Sequence, residues 1–171
     1  MNLKSFIRDI PDFPKAGVIF RDITPLMANA KAFKFAIREM AKPFKGMELS
    51  KVAAIESRGF FFGPSIAIEL GCGFVPVRKE GKLPWKTDKK KYSLEYGEAS
   101  IEIHKDAFSK GERVLLMDDV LATGGTIAAA ASLIEKQGAI IEGIVFLLEL
   151  DFLQGRKSIN GECPVHSLMH Y

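Results

Sequence analysis

The stretch Val114-Leu115-Leu116-Met117-Asp118-Asp119-Val120-Leu121-Ala122-Thr123-Gly124-Gly125-Thr126 decides the fold of this chain. It opens with apolar residues, continues into two adjacent aspartates and ends in small and hydroxyl-bearing residues ahead of an apolar helical pattern. We interpret it as a strand, a loop and the start of a helix. A continuous apolar strand followed by a helix is typical of a parallel sheet that is covered on both faces.

The sequence on both sides repeats this alternation. Further strands are predicted at 51–55, 74–77 and 139–148, with the strand above beginning at 113, and helices at about 33–44, 61–70 and 127–137. Residues 11–27 contain three prolines and a glycine, and they predict a long loop. The chain of 171 residues therefore predicts an α/β fold: a single domain with a parallel twisted sheet and helices on both faces.

One segment interrupts this rhythm. Apolar and polar residues alternate around Gly97 and Glu98, which predicts an antiparallel hairpin. The alternating residues are Tyr92, Leu94, Tyr96, Ile101 and Ile103. Such a hairpin beside a parallel sheet is either a mobile flap over a site or an edge decoration, and its pattern alone does not separate the two.

Composition excludes several classes of protein. A net charge of +3, with one dense basic run at 86–91, is too weak to indicate a nucleic-acid partner. Cys72 and Cys163 lack metal-ligand spacing and are expected to be free thiols of a reducing compartment. Neither a signal peptide nor an apolar stretch of membrane-spanning length is visible, so we expect a cytoplasmic protein with no membrane partner.

The loop Ala122–Thr126 has the properties of a phosphate site. Its small residues let backbone N–H groups approach an anion, and the following helix presents unpaired N–H groups and the positive end of its dipole. The hydroxyls of Thr123 and Thr126 add donors. The candidate phosphate ligands are thus Ala122, Thr123, Gly124, Gly125 and Thr126.

The aspartates exclude a site for phosphate alone. A carboxylate 4 Å from a phosphate charge costs about 4 kcal/mol at an effective dielectric near 20. Asp118 and Asp119 therefore need donors or a cation, which a ribose diol and a nearby Mg²⁺ would supply. Phosphate, diol and metal together indicate a phosphorylated sugar.

The segment 114–126 is neither a Walker A loop nor a dinucleotide-binding fingerprint. It closely resembles the signature of the type I phosphoribosyltransferases. The resemblance implies that phosphoribosyl pyrophosphate (PRPP) places its 5′-phosphate on Ala122–Thr126 and its ribose diol on Asp118 and Asp119. It also implies a Mg²⁺ cofactor bound through substrate oxygens and water, without dedicated protein ligands.

Further segments, covering nearly the whole chain, resemble the adenine phosphoribosyltransferases in particular. They are 13–26, 56–64, 77–84, 92–97 and, more weakly, 147–150. In this family the first belongs to a hood, about residues 1–35 here. The resemblance implies that Phe20 stacks on adenine, that main-chain groups of Ile19 and Arg21 read the purine edge, and that Leu150 covers its other face. Without the resemblance, Phe20 would be interpreted as a core aromatic and Leu150 as a strand-end leucine.

The segments at 56–64 and 77–84 imply a pyrophosphate site. Its expected ligands are Ser57 and Arg58 on one side and Arg78 and Lys82 on the other. The family often has a non-proline cis peptide here, which we predict between Glu56 and Ser57. Glu80 departs from the arginine or proline common in relatives, which puts that position in doubt as a ligand. Read alone, residues 77–84 are an ordinary solvated basic loop.

The segment Tyr92-Ser93-Leu94-Glu95-Tyr96-Gly97 implies a catalytic flap at about 83–98. Glu95 corresponds to the family's proposed general acid or base, Tyr96 helps to close the flap, and Arg58 completes the catalytic set.

The implied reaction converts adenine and PRPP into AMP and pyrophosphate in purine salvage. The family also implies a homodimer in which the loop near Arg78 and Lys82 lies close to the partner subunit. Transfer to another purine such as xanthine, or a non-catalytic PRPP sensor, remain alternatives, although a sensor would need an additional domain.

Overall fold

A computed structural model describes residues 1–93 and 98–171. The strands are β1 Arg8–Ile10, β2 Phe20–Asp22, β3 Lys51–Ile55, β4 Gly73–Lys79, β5 Thr87–Ser93, β6 Glu98–His104, β7 Arg113–Leu121, β8 Ile140–Glu149 and β9 Val165–His170. The helices are α1 Thr24–Ala28, α2 Ala30–Ala41, α3 Gly63–Leu70 and α4 Gly125–Lys136. Short 3₁₀ turns lie at Leu3–Phe6, Lys42–Phe44, Arg58–Phe61, Asp151–Leu153 and Gly155–Ser158.

The main sheet has the strand order β5-β6-β4-β3-β7-β8-β9. The strands from β4 to β9 in this order pair in parallel, whereas β6 pairs antiparallel with both β4 and β5. The parallel strands bring the segments after β3, β4, β7 and β8 to one edge, where open α/β sheets bind ligands. A separate antiparallel pair, β1 and β2, lies in the N-terminal region.

The central strands supply side chains to cores on both faces of the sheet. Val52 and Ala54 of β3 belong to the core that includes residues of α2 and α3, whereas Ala53 and Ile55 belong to the core that includes residues of α4. This division follows from the alternation of side chains along a strand. The α/β class with helices on both faces is confirmed.

Helix α2 begins and ends about three residues earlier than predicted. Its N-cap is Asn29, whose side-chain oxygen accepts a hydrogen bond of 3.0 Å from the Ala32 N–H. The helix ends at Ala41 and tightens into a 3₁₀ turn, rather than continuing towards Gly46. Pro43 explains the early end, because a proline inside a helix lacks the N–H and clashes with the preceding turn.

Other expectations are also corrected. The predicted loop 11–27 contains β2 and most of α1, and β9 was not predicted at all. The strand predicted to stop at Met117 continues to Leu121, because β8 pairs with it as far as Glu149. Both aspartates therefore lie within β7 rather than after it.

Leu94, Tyr96 and Gly97 of the predicted hairpin lie outside the described residues. The rest of the hairpin is present as β5 and β6, with Tyr92 opposite Ala99. It joins the main sheet where Arg78 of β4 pairs with Glu102 of β6. Lys136 Nζ, at the end of α4, lies 2.6 Å from Oδ1 of Asp88 on β5. Cys72 and Cys163 are free thiols, as expected. Among residues 1–93 and 98–171, every helix is too short or too polar to cross a bilayer.

Candidate active site

The predicted phosphate loop connects β7 to α4. Residues 122–124 turn between the strand and the helix, and Gly124 at the N-cap has a φ of 84°. This left-handed conformation suits glycine, which has no side chain to strain it. The loop borders a small cavity lined by Asp118, Val120, Leu121, Ala122, Thr123, Gly124, Thr126 and Ile127.

The two aspartates next to this loop are in different environments. Asp118 is half-buried, and its Oδ1 accepts a hydrogen bond of 2.8 Å from the Asp119 N–H. Asp119 is 5% exposed. Burial raises the pKa of Asp118 well above its ordinary value, and the neighbouring charge of Asp119 adds to the increase. Burial also raises the pKa of Asp119, against the opposing charge of Arg58.

Arg58 connects the acidic pair with the N-terminal region. Its Nε lies 2.8 Å from Asp119 Oδ2, and its guanidinium lies 5.0 Å from the ring centroid of Phe20. The ion pair does not meet hydrogen-bond geometry, so Asp119 Oδ2 lacks a hydrogen-bond partner among the described residues. This buried oxygen could accept a hydroxyl from a ligand.

The turn that carries Arg58 follows β3 directly. The peptide bond between Glu56 and Ser57 is cis, which confirms the prediction, and a second cis bond precedes Pro14. A Cβ added to Gly59 would lie 3.2 Å from Asp118 Oδ1. The absence of a side chain at Gly59 therefore lets this turn approach the acidic pair. Ser57 and Arg58 lie beside the carboxyl end of β7, because β3 and β7 are parallel neighbours.

The loop after β4 is held by two acids. Glu56 Oε2 accepts a hydrogen bond of 3.0 Å from Arg78 Nε, and Arg78 Nη1 donates to the Lys82 carbonyl at 3.0 Å. The buried carboxylate of Glu102 accepts from the N–H groups of Lys82 and Leu83. Arg78 and Lys82 thus share one loop, with the charge of Arg78 already paired to Glu56.

Glu80, which departs from the family pattern, lies in the same loop. Its Oε1 is 2.8 Å from Lys89 Nζ on β5. This contact links the loop to the hairpin, and it gives Glu80 a structural partner in place of a ligand.

A cavity of about 280 Å³ lies between the N-terminal region and the end of β8. It is lined by Gly17, Val18, Ile19, Arg21, Leu150, Phe152 and Leu153. Three of the residues expected to contact adenine, Ile19, Arg21 and Leu150, therefore face one cavity. The ring of Phe20 instead packs edge to face on Phe13, with centroids 5.2 Å apart, and against Arg58.

Comparison with known proteins agrees with this geometry. Residues 23–161 match the family model described as the phosphoribosyl transferase domain. An adenine phosphoribosyltransferase of Kosmotoga olearia is 53% identical over 171 residues, covering 100% of both chains. The chain belongs to the adenine phosphoribosyltransferase family.

Solved structures of the family superpose closely on this chain. The adenine phosphoribosyltransferase of Thermoanaerobacter pseudethanolicus is 53% identical, with a TM-score of 0.95 and coverage of 99% of this chain and 98% of its own. The enzyme of Saccharomyces cerevisiae, complexed with adenine and an imino-altritol bisphosphate, is 41% identical. Its TM-score is 0.91, with coverage of 97% and 96%.

Two residues that the family resemblance assigns to catalysis, Glu95 and Tyr96, lie outside the described residues. The roles predicted for them, and for the other site residues, stay predictions. The predicted extent of the hood, residues 1–35, also stays a prediction. β1, β2 and α1 lie within it, but α2 crosses its boundary.

The sequence did not predict the residues that pack against the phosphate loop or those that complete the cavity beside Leu150. The 3₁₀ turn Gly155–Ser158 packs against the phosphate loop, and Phe152, 71% exposed, lines the cavity beside Leu150. The Gly-Arg dipeptide at 155–156 was a signal for a turn, but nothing local indicates which loop that turn contacts.

Proposed function

We propose that this chain transfers the phosphoribosyl group of PRPP to adenine, with release of AMP and pyrophosphate, through the residues that meet at the carboxyl edge of its sheet. The observation that carries the assignment of residues is the contact of Arg58 with both Asp119 and Phe20. It connects the proposed sugar site to the proposed base site through one side chain.

The sugar phosphate would occupy the end of β7. Backbone N–H groups at 122–126 and the positive end of the α4 dipole favour the dianionic 5′-phosphate. The carboxylates of Asp118 and Asp119 would accept hydrogen bonds from the ribose hydroxyls. Asp119 Oδ2 is ion-paired with Arg58 but accepts no hydrogen bond among the described residues, which supports this role, since a buried acceptor without a hydrogen bond is costly.

Bond exchange takes place at C1′ of the sugar. The C1′–O bond to pyrophosphate breaks with its electron pair on the leaving oxygen, and the purine nitrogen forms the new C1′–N bond. Positive charge develops on the sugar ring, as in glycoside hydrolysis. Ser57, Arg58, Arg78 and Lys82 would stabilise the charge gathering on pyrophosphate. Glu95 would accept the proton that adenine loses.

Adenine would enter the cavity beside Leu150. A main-chain carbonyl at Ile19 or Arg21 can accept from the 6-amino group but would oppose the oxygen of a 6-oxo purine. A buried acceptor left unpaired costs about 1–3 kcal/mol, enough to discriminate by tenfold or more. Phe20 would stack on adenine, which requires adenine to lie against the Phe20 ring, the ring that Arg58 contacts in this structure.

The acidic pair is compatible with Mg²⁺ bound through substrate and water. Asp118 and Asp119 have few oxygen atoms available to bind a metal ion directly. Asp118 accepts a hydrogen bond from the backbone, and Asp119 is paired with Arg58. They would contact the ion through water. Bound in this way, Mg²⁺ would neutralise part of the pyrophosphate charge. The one described cluster with metal-binding geometry is Glu149, Asp151 and His170, and its Glu149 oxygens already serve Arg156 and Ser167.

Assembly and location are also proposals. Phe61 and Ile68 are exposed apolar residues, Ile68 to 82%, and such residues are candidate contacts of the homodimer interface. The free thiols of Cys72 and Cys163 support a reducing, cytoplasmic compartment.

One assay tests the proposed function. Purified protein is incubated with PRPP and Mg²⁺ plus adenine, hypoxanthine, guanine or xanthine, and nucleotides are separated by chromatography. We expect AMP from adenine and little product from the 6-oxo purines. Product from another purine in place of AMP would move the assignment to that base, and no product from any would contradict an enzymatic role.

A further inference from the structure

The phosphate loop is backed by a turn that the proposed mechanism does not use. We call the 3₁₀ turn Gly155–Ser158 the buttress turn. A Cβ added to Gly155 would collide with the Ala122 carbonyl oxygen, and one added to Gly124 would collide with the Gly155 carbonyl oxygen. Ser158 Oγ donates a hydrogen bond of 2.8 Å to the Thr123 carbonyl. The two backbones are therefore in direct contact.

This contact determines where the loop's amide hydrogens point. Both peptide units concerned are trans, and in a trans peptide the N–H points away from the C=O that precedes it. The Ala122 and Thr123 carbonyls face the buttress turn, so the N–H groups of Thr123 and Gly124 face away from it. Neither N–H has a hydrogen-bond partner among the described residues. They are free to bind an anion on the cavity side.

The buttress turn is itself held by a buried acid. Glu149, at the end of β8, is 4% exposed. Arg156 donates to it from Nε and Nη2, each at 2.8 Å, and Arg156 Nη1 donates to the Val165 carbonyl at 3.1 Å. Ser167 Oγ donates a further hydrogen bond of 2.5 Å to Glu149. A two-point pair of this kind fixes orientation as well as distance.

We infer that the Glu149–Arg156 pair is a positioning element for the 5′-phosphate site. By holding the buttress turn against residues 122–124, it keeps the Thr123 and Gly124 amides directed at the phosphate before ligand arrives. The inference rests on the proposed function, which assigns that loop to the 5′-phosphate. Arg156 acts through the turn, without a contact to substrate.

Two substitutions test this at different steps. Arg156→Gln removes the two-point pair, and Ser158→Ala removes only the contact with the Thr123 carbonyl. A matched control is Arg113→Gln, which breaks the Arg113–Glu142 pair at the opposite end of the same two strands, β7 and β8. Arg156→Lys keeps the positive charge but loses the planar guanidinium that donates two parallel hydrogen bonds to Glu149. It should therefore recover only part of the ribose 5-phosphate affinity lost in Arg156→Gln.

The probes are ribose 5-phosphate, which contains the sugar and the 5′-phosphate, and Mg-pyrophosphate, which is the leaving group and lacks both the ribose and the 5′-phosphate. Titration calorimetry on the full-length wild type and each variant measures both. We expect Arg156→Gln to weaken ribose 5-phosphate about tenfold, because misplaced donors lose much of their binding energy. Ser158→Ala should weaken it less. Pyrophosphate affinity should not change, and Arg113→Gln should match the wild type for both probes.

The outcomes separate the two claims. Wild-type affinity for ribose 5-phosphate in both Arg156→Gln and Ser158→Ala would overturn the positioning role. Parallel loss of both probes in Arg156→Gln would indicate general destabilisation and would equally overturn it, unless Ser158→Ala showed the selective loss. If the wild type itself failed to bind ribose 5-phosphate, the proposed phosphate site would be wrong, which is a different result.

Discussion

Arg58 and Asp119 form an ion pair in which the guanidinium Nε lies 2.8 Å from the carboxylate Oδ2. The pair joins the turn after β3 to the end of β7. Asp119 is buried almost completely, and burial raises its pKa. The positive charge of Arg58 opposes this increase. One cation thus sustains the ionised carboxylate proposed to hold the ribose, while its guanidinium also contacts Phe20.

Replacing Arg58 should change the pH profile as well as the rate. In Arg58→Gln the pKa of Asp119 is expected to increase further, so the acidic limb of kcat/KM for PRPP should shift to higher pH. The loss of a donor to the leaving group should lower kcat/KM about 100-fold. Arg58→Lys is the matched control: it should retain the wild-type limb but recover only part of the rate. A limb that does not move in Arg58→Gln would separate Arg58 from the ionisation of Asp119.

Asp118→Asn should make the protein more stable and less active. Its raised pKa means that the folded state disfavours the ionised carboxyl, whereas the asparagine Oδ1 can keep the hydrogen bond from the Asp119 N–H. The penalty is absent at low pH and grows as the pH rises from the ordinary aspartate pKa through the raised one. The gain in Tm should follow the same course, at about 2–4 °C for each kcal/mol in a chain of this size.

Thermal unfolding of wild type and Asp118→Asn across this pH range measures the effect. Asp119→Asn serves as the comparison, because its charge is compensated by Arg58 and its neutralisation should gain less. Equal stability of Asp118→Asn and wild type at neutral pH would contradict the prediction.

Gly124→Ala should destabilise the phosphate loop for two separable reasons. The φ of 84° strains any other residue, and the new Cβ would collide with Gly155. Together these should cost about 2–4 kcal/mol of unfolding free energy. Gly111 has a φ of 83° with nothing near its Cβ position, so Gly111→Ala measures the strain alone, about 1–2 kcal/mol. Equal losses in urea denaturation would show that the buttress contact does not constrain Gly124.

Leu150→Ala should weaken adenine selectively. Leu150 lines the cavity with Ile19 and Arg21, and truncation removes apolar contact from one side of the bound base. The KM for adenine should increase about tenfold while that for PRPP remains unchanged. Ile140, an exposed residue at the start of β8, provides the control: Ile140→Ala truncates an apolar side chain at the end of the strand remote from Leu150, which directly follows β8. An unchanged KM for adenine would remove Leu150 from the base site.

Glu95→Gln and Glu95→Leu should both lower turnover of adenine, by about 100-fold if proton transfer contributes to the barrier. Glu98→Gln is a nearby control at the start of β6, where an exposed carboxylate has no proposed role in proton transfer. Steady-state kcat at saturating PRPP and adenine measures the effect. Full activity in both Glu95 variants would exclude it from catalysis.

The strands near the site illustrate what local pattern can predict. The run Lys51–Ile55 was placed correctly because its short apolar sequence leaves few alternatives. The limits of β7 and α2 were less accurate. The extra residues of β7 are added by pairing with β8, and α2 ends two residues before Pro43, whose effect outweighs the apolar pattern that continues to Phe44. Strand β9 was missed because its mixed polar and apolar residues show little alternation until a neighbouring strand pairs with them.

By itself, the sequence determined the α/β class, the strand–loop–helix connection that carries the acidic pair, and the family. Each of these depends on residues close together along the chain, where backbone conformation and spacing act directly. Only the tertiary structure decided that Arg58 pairs with Asp119, that Glu56 holds Arg78 and that the buttress turn supports Thr123. These contacts join segments far apart in sequence, and they form only when the sheet brings its strand ends to one edge.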